Sequence, residues 1–178
     1  NITNWLPVSF RVEGGAWFGF SPDPTFTIRR IHRRLDMHQG ELMRELEVED
    51  AEGRRTMVRS TRFAGMADPH RAGLRYSVIP LNYEGIIEIR SQLRGDHRNA
   101  GVERYNDLNQ QHLAPFSETH TDHQLQLVVR TTTSGILIAT CTSHALVNGT
   151  SGETTFSSGK GWVSQEFKVE AGKDREVT

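Results

Sequence analysis

Residues 35–85 read LDMHQGELMRELEVEDAEGRRTMVRSTRFAGMADPHRAGLRYSVIPLNYEG, and this stretch decides the fold class of the chain. Apolar and polar residues alternate in it, turn residues interrupt the alternation, and the alternation then resumes. Leu42, Arg44, Leu46 and Val48 fall on one face of the first strand, while glutamates take alternating positions on the other. The stretch therefore predicts a β-meander.

Within the meander, a turn at residues 51–53 leads to a second strand over residues 54–63, which is rich in arginine. The resulting hairpin sets glutamates beside arginines, and opposite charges that face each other across two strands are mildly stabilising. The charge pattern therefore predicts cross-strand ion pairs rather than a site for a charged ligand.

Further strands follow, separated by clusters of Gly, Pro, Asn and Asp, at residues 71–79, 86–93, 124–131, 135–147 and 162–169. In the first of these, Ala72, Leu74, Tyr76 and Val78 are predicted to face inward. Residues 96–121 form the longest predicted loop, and residues 148–152 are interpreted as a turn. Successive strands with no helix-length periodic segment between most of them predict an all-β, antiparallel sandwich.

Composition limits the classes of protein and partner. The 178 residues fit one domain, and a net charge of −1 gives no general attraction to nucleic acid. No apolar run reaches the length of a membrane span, so no membrane partner is expected. The single cysteine excludes an intramolecular disulfide, which suits a reducing compartment and predicts a cytoplasmic location.

The titratable side chains suggest no catalytic centre and no metal site. His120 and His123 form an H-x-x-H pair, but a zinc site needs three or four ligands, so we interpret them as surface-loop histidines. Carboxylate pairs cleave glycosidic bonds, yet no pattern fixes two of the long-loop acids at a catalytic separation. Those acids are Asp96, Glu103, Asp107 and Glu118.

Two groups of residues are candidates for contact with a carbohydrate or a neighbouring domain. The aromatic residues Trp5, Trp17, Phe18 and Phe20 fit a hydrophobic core, and exposed aromatic rings among them would also suit a sugar ring. Trp17 is the candidate that we select from this group. In the long loop, polar groups could reach a ligand or another domain, and the candidates there are Asn99, Arg104 and Tyr105.

Four stretches, in this order, resemble the N-terminal β-sandwich domain of glycoside hydrolase family 65: NITNWLPVSF, LDMHQGELMREL, RRTMVRSTRFAGMADPHRAGLRY and NAGVERYNDL. They cover most of residues 1–113. The resemblance implies a galactose-mutarotase-like antiparallel super-sandwich. It also implies that residues 1–178 are one partial N-terminal domain, cut at both ends, whose catalytic (α/α)6 barrel lies outside this chain.

The resemblance also implies a function. Family members phosphorolyse α-linked glucose disaccharides such as maltose, trehalose or kojibiose with inversion, using a glutamic acid of the barrel and inorganic phosphate as co-substrate. Hydrolase members use water instead. The chain is therefore expected to be a non-catalytic domain without a cofactor of its own, packed on the barrel at the active-site rim of a protein that could form a homodimer. Two alternatives stay open: a stand-alone carbohydrate-binding module, and a small hydrolase that uses the long-loop acids.

Overall fold

The computed structural model describes residues 2–19, 24–96, 98 and 111–178. These residues contain strands and turns but no helix. The strands are β1 (Val8–Val12), β2 (Thr27–Asp36), β3 (Glu41–Glu49), β4 (Arg55–Ala64), β5 (Ala72–Pro80), β6 (Gly85–Arg94), β7 (Leu113–Thr121), β8 (Gln124–Thr131), β9 (Leu137–Ser143), β10 (Thr150–Gly159) and β11 (Trp162–Ala171).

The strands form three sheets. One four-stranded sheet has the order β1-β6-β11-β10, a second has the order β2-β3-β4-β5, and a three-stranded sheet has the order β7-β8-β9. Neighbouring strands from β2 to β5 and from β7 to β9 pair antiparallel. The predicted all-β, antiparallel sandwich class is thereby confirmed.

The β3–β4 hairpin forms where the alternating pattern placed it, and its turn is fixed by Asp50. The Asp50 side chain accepts hydrogen bonds from the backbone N–H groups of Glu52 and Arg54, at 3.0 and 2.9 Å. Gly53 adopts a φ of +78°, a left-handed conformation that costs a residue without a side chain little energy. These local interactions determine the register that sets Glu45 opposite Arg59.

The chain divides into two compact units. The first unit comprises Asn1–Val8, Arg90–Ala145 and Thr154–Glu166. Its core consists of Leu93, Leu113, Leu125, Leu127, Val129 and Val163, and Trp5, Ile138 and Phe156 pack against it. Alternation explains this core, because Leu125, Leu127 and Val129 of β8 point to one face of the β7–β9 sheet.

The second unit comprises Ser9–Ile89, Leu146–Glu153 and Phe167–Thr178. Its sheet β2–β5 buries the cross-strand row Leu46–Val58–Val78, which is at most 3% exposed. The buried apolar residues of this unit are Phe10, Phe18, Leu46, Val48, Val58, Tyr76, Val78, Ile87, Ile89, Val169, Ala171 and Val177. The face of β3 on which alternation placed Leu46 and Val48 is therefore buried at these two residues.

The interpretation of residues 96–121 as a loop is wrong at its C-terminal end, where β7 begins at Leu113. The sequence of this segment lacks the alternating pattern of a strand, because it contains Pro115 and a run of polar residues. The register shifts between Pro115 and Ser117, so the proline lies at a bulge, one of the few sheet positions that tolerate it. Pairing with β8, rather than local preference, makes this segment a strand.

Two strand boundaries and the exposure of one residue also differ from the prediction. Strand β10 begins at Thr150, inside the predicted turn, because tertiary pairing with β11 overrides its glycines and serines. Strand β9 ends at Ser143 instead of reaching residue 147. Ala72, predicted to face the core, is exposed, because the core covers only the other end of the sheet.

Candidate functional site

Trp17, the candidate that lies among the described residues, is half-buried beside β1. Phe10 and Phe18 exchange backbone hydrogen bonds of 3.2 and 2.8 Å, and their rings lie 5.6 Å apart in the core. The residues next to them, Arg11 and Trp17, therefore meet on the opposite side. The Arg11 guanidinium lies 4.6 Å from the centroid of the Trp17 ring, a cation–π contact.

Glu88 fixes the position of Arg11. The Glu88 side chain is almost completely buried, and its Oε2 accepts from both Nε and a terminal nitrogen of Arg11. Glu88, Arg11 and Trp17 thus form a chain of contacts that ties β6 to the segment after β1. The face of the indole that Arg11 covers is unavailable for stacking on a sugar ring, so only the opposite face could serve that purpose.

The structure distributes the other aromatic candidates over both units. Trp5 packs against the core of the first unit, whereas Phe18 lies in the second unit and contacts Phe26 edge to face at 5.2 Å. Phe20 is outside the described residues. Trp5 and Phe18 are therefore core aromatics, as the alternating pattern suggested.

The long-loop candidates Asn99, Arg104 and Tyr105 lie outside the described residues, as do the acids Glu103 and Asp107. They stay predictions. The two remaining acids make protein contacts: Asp96 accepts from Arg94 at 2.6 and 3.0 Å, and Glu118 accepts from the backbone N–H of Gly161 at 2.7 Å. The hydrogen bond that Arg94 donates to Asp96 raises the pKa of the guanidinium, because the carboxylate stabilises its charged form.

The two histidines of the H-x-x-H pair lie in different elements of the structure and have different surroundings. His120 belongs to β7 rather than to a surface loop, and its ring stacks on Phe156 with 4.4 Å between the centroids. His123 occupies the β7–β8 turn. Across the described ranges, no three His, Cys, Asp or Glu side chains come together as a metal ion would require.

The charged residues of sheet β2–β5 pair on one face, as the meander predicted. Glu45 accepts from Arg59 at 2.8 Å, and Glu47 lies 3.5 Å from Arg55. Arg29 adds a third pair by holding Glu49 at 2.8 Å. The hydrogen bond from Arg29 lowers the pKa of Glu49, and the pKa of Arg29 rises correspondingly.

The opposite face of the same sheet carries Arg33, Arg44 and Arg62. Burial is the main factor that lowers the pKa of Arg44, and the positive charges of Arg33 and Arg62 lower it further, while Tyr76 acts in the opposite direction. Sequence reasoning did not single out this cluster. The signal was available, because alternation already placed Arg44 among Leu42, Leu46 and Val48.

His144, in the first unit, is a half-buried titratable group. Its Nε2 lies 2.8 Å from the Ser91 hydroxyl oxygen. Burial lowers the pKa of the imidazole from its ordinary value of 6.5, and a hydrogen bond with Gln165 opposes this shift. The folded chain therefore favours neutral His144.

This shift predicts a pH dependence of stability. On acidification the unfolded chain takes up the His144 proton first, so the free energy of unfolding should decrease as the pH falls below about 6.5, by at most about 1.4 kcal/mol per pH unit for one group. Urea unfolding of the wild-type and His144→Gln chains between pH 7.5 and 5.5 (about the range in which histidine titrates) should show a shallower dependence for the variant. His38→Gln, at an exposed turn, is the matched control, and an equal change in both variants would contradict the assignment.

Comparisons with known proteins agree with this fold. The model of the glycosyl hydrolase family 65 N-terminal domain matches residues 1–178. An uncharacterized glycosyl hydrolase of Mycobacterium tuberculosis is 33% identical over 146 residues, which is 82% of this chain and 11% of that protein. The kojibiose phosphorylase of Halothermothrix orenii is 34% identical over 136 residues, or 76% of this chain and 16% of the enzyme.

A solved structure, provisionally named a kojibiose phosphorylase from the human microbiome, shares the fold with a TM-score of 0.79 at 13% identity. The match covers 99% of this chain and 21% of that chain. The chain thus spans between 11% and 16% of the length of the curated relatives that it matches. This chain belongs to glycosyl hydrolase family 65, as an N-terminal domain of that family.

Proposed function

We propose that this chain is a non-catalytic accessory domain that packs on the catalytic barrel of a family 65 enzyme and shapes the rim of its active site. The observation that supports this proposal is the match of an N-terminal domain model to residues 1–178, in a chain that corresponds to between 11% and 16% of its longer relatives. Three of the described carboxylates support the proposal, because those of Glu88, Asp96 and Glu118 each accept a hydrogen bond from a group of the protein itself.

The parent enzyme, in this proposal, acts on an α-linked glucose disaccharide with inorganic phosphate as co-substrate. Relatives named kojibiose phosphorylase support this chemistry, and kojibiose is the first disaccharide to test.

We also propose a cytoplasmic location. In the part of the chain that the structure describes, there is no helix long and apolar enough to cross a membrane. A homodimer of the parent stays a prediction that light scattering can test.

The test is an assay of glucose release from kojibiose, maltose and trehalose, with and without phosphate. The isolated 178-residue chain should release none, whereas the complete protein that carries it should do so only with phosphate present. Phosphate-dependent release by the isolated chain would contradict a non-catalytic role.

The alternative of a carbohydrate-binding module has one favouring observation, the half-exposed ring of Trp17. Calorimetric titration of the isolated chain with kojibiose distinguishes the accessory-domain hypothesis from the hypothesis of a carbohydrate-binding module. An accessory domain should give no saturable heat, whereas saturable binding that disappears in Trp17→Ala would assign a sugar site to the indole. Phe116→Ala is a suitable control, because Phe116 is also exposed and also carries an arginine, Arg130, over its ring.

A further inference from the structure

The two faces of sheet β2–β5 differ in their charge balance. On the face that carries Glu45, Glu47 and Glu49, each of these glutamates has an arginine partner. On the opposite face, which the strand register defines, the same four strands contribute three arginines and neither aspartate nor glutamate. One face is therefore neutralised within the sheet, and the other carries a net positive charge.

The three arginines of that face are close neighbours. Arg33 lies directly opposite Arg44 in the antiparallel register, and Arg62 lies opposite Leu42, one row further along the same face. Like charges in directly opposed positions destabilise a sheet. Within the described ranges, neither Arg33 nor Arg62 forms an ion pair.

The arginines are surrounded by apolar side chains that the core does not cover. Ile31 is 49% exposed and Leu35 is 61% exposed, although both continue the face that is buried at Leu46. Leu42 and Leu74 are half-buried in the same row as Leu35. The face thus has a buried half, which forms the core of the second unit, and a half that remains accessible. We call this second half the arginine patch: Ile31, Arg33, Leu35, Leu42, Arg44, Arg62 and Leu74.

We propose that the arginine patch is the surface by which this domain docks on the catalytic part of the same polypeptide, against a segment that presents carboxylates between apolar side chains. This inference rests on the proposed function and adds the face and the chemistry of its partner. Carboxylates bind guanidinium groups through paired, charge-assisted hydrogen bonds, and aliphatic side chains of the partner would cover Ile31 and Leu35.

Two other occupants fit the patch less well. A second copy that docks through the same face would set one positively charged patch against another, because a twofold interface buries the same surface on both copies. A nucleic acid would neutralise the arginines, but its phosphates offer no apolar surface to the leucines. An acidic and partly apolar protein segment would both neutralise the arginines of the patch and cover its apolar side chains.

Labelling of arginine with phenylglyoxal, read by mass spectrometry, tests the proposal. The rate at each arginine is compared between the isolated 178-residue chain and the complete protein that carries it. Arg33 and Arg62 should react about tenfold more slowly in the complete protein, as expected for a face that is covered about nine-tenths of the time. Arg59 and Arg75, on the opposite face, are the internal controls and should keep their rates.

The labelling pattern separates failure of this inference from failure of the proposed function. Protection of Arg59 and Arg75 alone would show that the domain packs through its other face, which overturns the inference and leaves the proposed function standing. Unchanged rates at all four arginines would overturn the inference and argue against packing of this sheet on a barrel. Protection that develops in the isolated chain as its concentration rises would assign the patch to a second copy and also overturn it.

A matched pair of variants tests the charge directly. Arg62→Glu in the complete protein should restore most of the labelling rate of Arg33, whereas Arg59→Glu, on the same strand but the other face, should not. If the Arg62→Glu variant does not fold, the salt dependence of labelling in the wild-type protein tests the same point. Because salt screens ion pairs, raising the salt concentration should speed the labelling of Arg33 and Arg62 in the wild-type complete protein. Rates that do not respond to salt would overturn the role of charge.

Discussion

Leu127→Ala should lower the free energy of unfolding by about 3 kcal/mol. Leu127 is completely buried at the centre of the first unit, among Leu93, Leu125 and Val163. Truncation removes buried methyl groups and leaves a cavity that strands held in a sheet cannot easily close. Urea unfolding followed by circular dichroism measures the loss.

Leu137→Ala is the control for this prediction. Leu137 is on the neighbouring strand β9 and is 50% exposed, so the same truncation should change the free energy of unfolding by no more than about 0.5 kcal/mol. Losses of similar size in the two variants would contradict the placement of the core on only one face of the β7–β9 sheet.

Arg11→Leu should have the second largest effect, a loss of about 2 kcal/mol in the free energy of unfolding. The substitution leaves the buried Glu88 carboxylate without its counter-ion and removes the cation that lies over Trp17. We place the value below that of a completely buried ion pair, because the Arg11 side chain is 30% exposed and water screens part of the interaction.

Two comparisons isolate the cause of that loss. Arg59→Leu breaks the exposed pair with Glu45 and should cost less than about 1 kcal/mol. The double variant Arg11→Leu/Glu88→Leu should recover most of the stability that Arg11→Leu loses, because no uncompensated buried charge remains. If the double variant is no more stable than Arg11→Leu, then packing around Arg11, and not the buried carboxylate, carries the effect.

The sequence predicted the elements whose local pattern and tertiary environment agree. Strands β3, β4 and β8 alternate clearly, and the turn at Asp50 uses side-chain hydrogen bonds that need no distant partner. By contrast, β7 contains a proline and β10 is rich in glycine, serine and threonine, so both depend on pairing with strands that local preference does not reveal. Strand β2 has its apolar residues at Ile28, Ile31 and Leu35, three and four residues apart among arginines, so apolar and polar residues do not alternate along it.

The candidate site was only partly predictable for the same reason. Trp17 could be selected as an aromatic residue, but its partner Arg11 is held by Glu88, which is 77 residues away along the chain from Arg11. No short-range pattern indicates such a contact. Alternation in β3 and β4 places Arg44 and Arg62 among apolar residues, but the pairing of β2 that brings Ile31, Arg33 and Leu35 onto the same face had to come from the structure.

Strand β2 also bears on the solubility of this chain. Among the described residues it is an outer strand of its sheet, and a strand of another molecule could add to such an edge. The register shift between Ile28 and Arg30 distorts that edge, and the run TIRRIHRRLD repels an identical run by its charge. We therefore expect the arginines of β2 to disfavour fibrillar aggregation, and we expect this protection to weaken in concentrated salt.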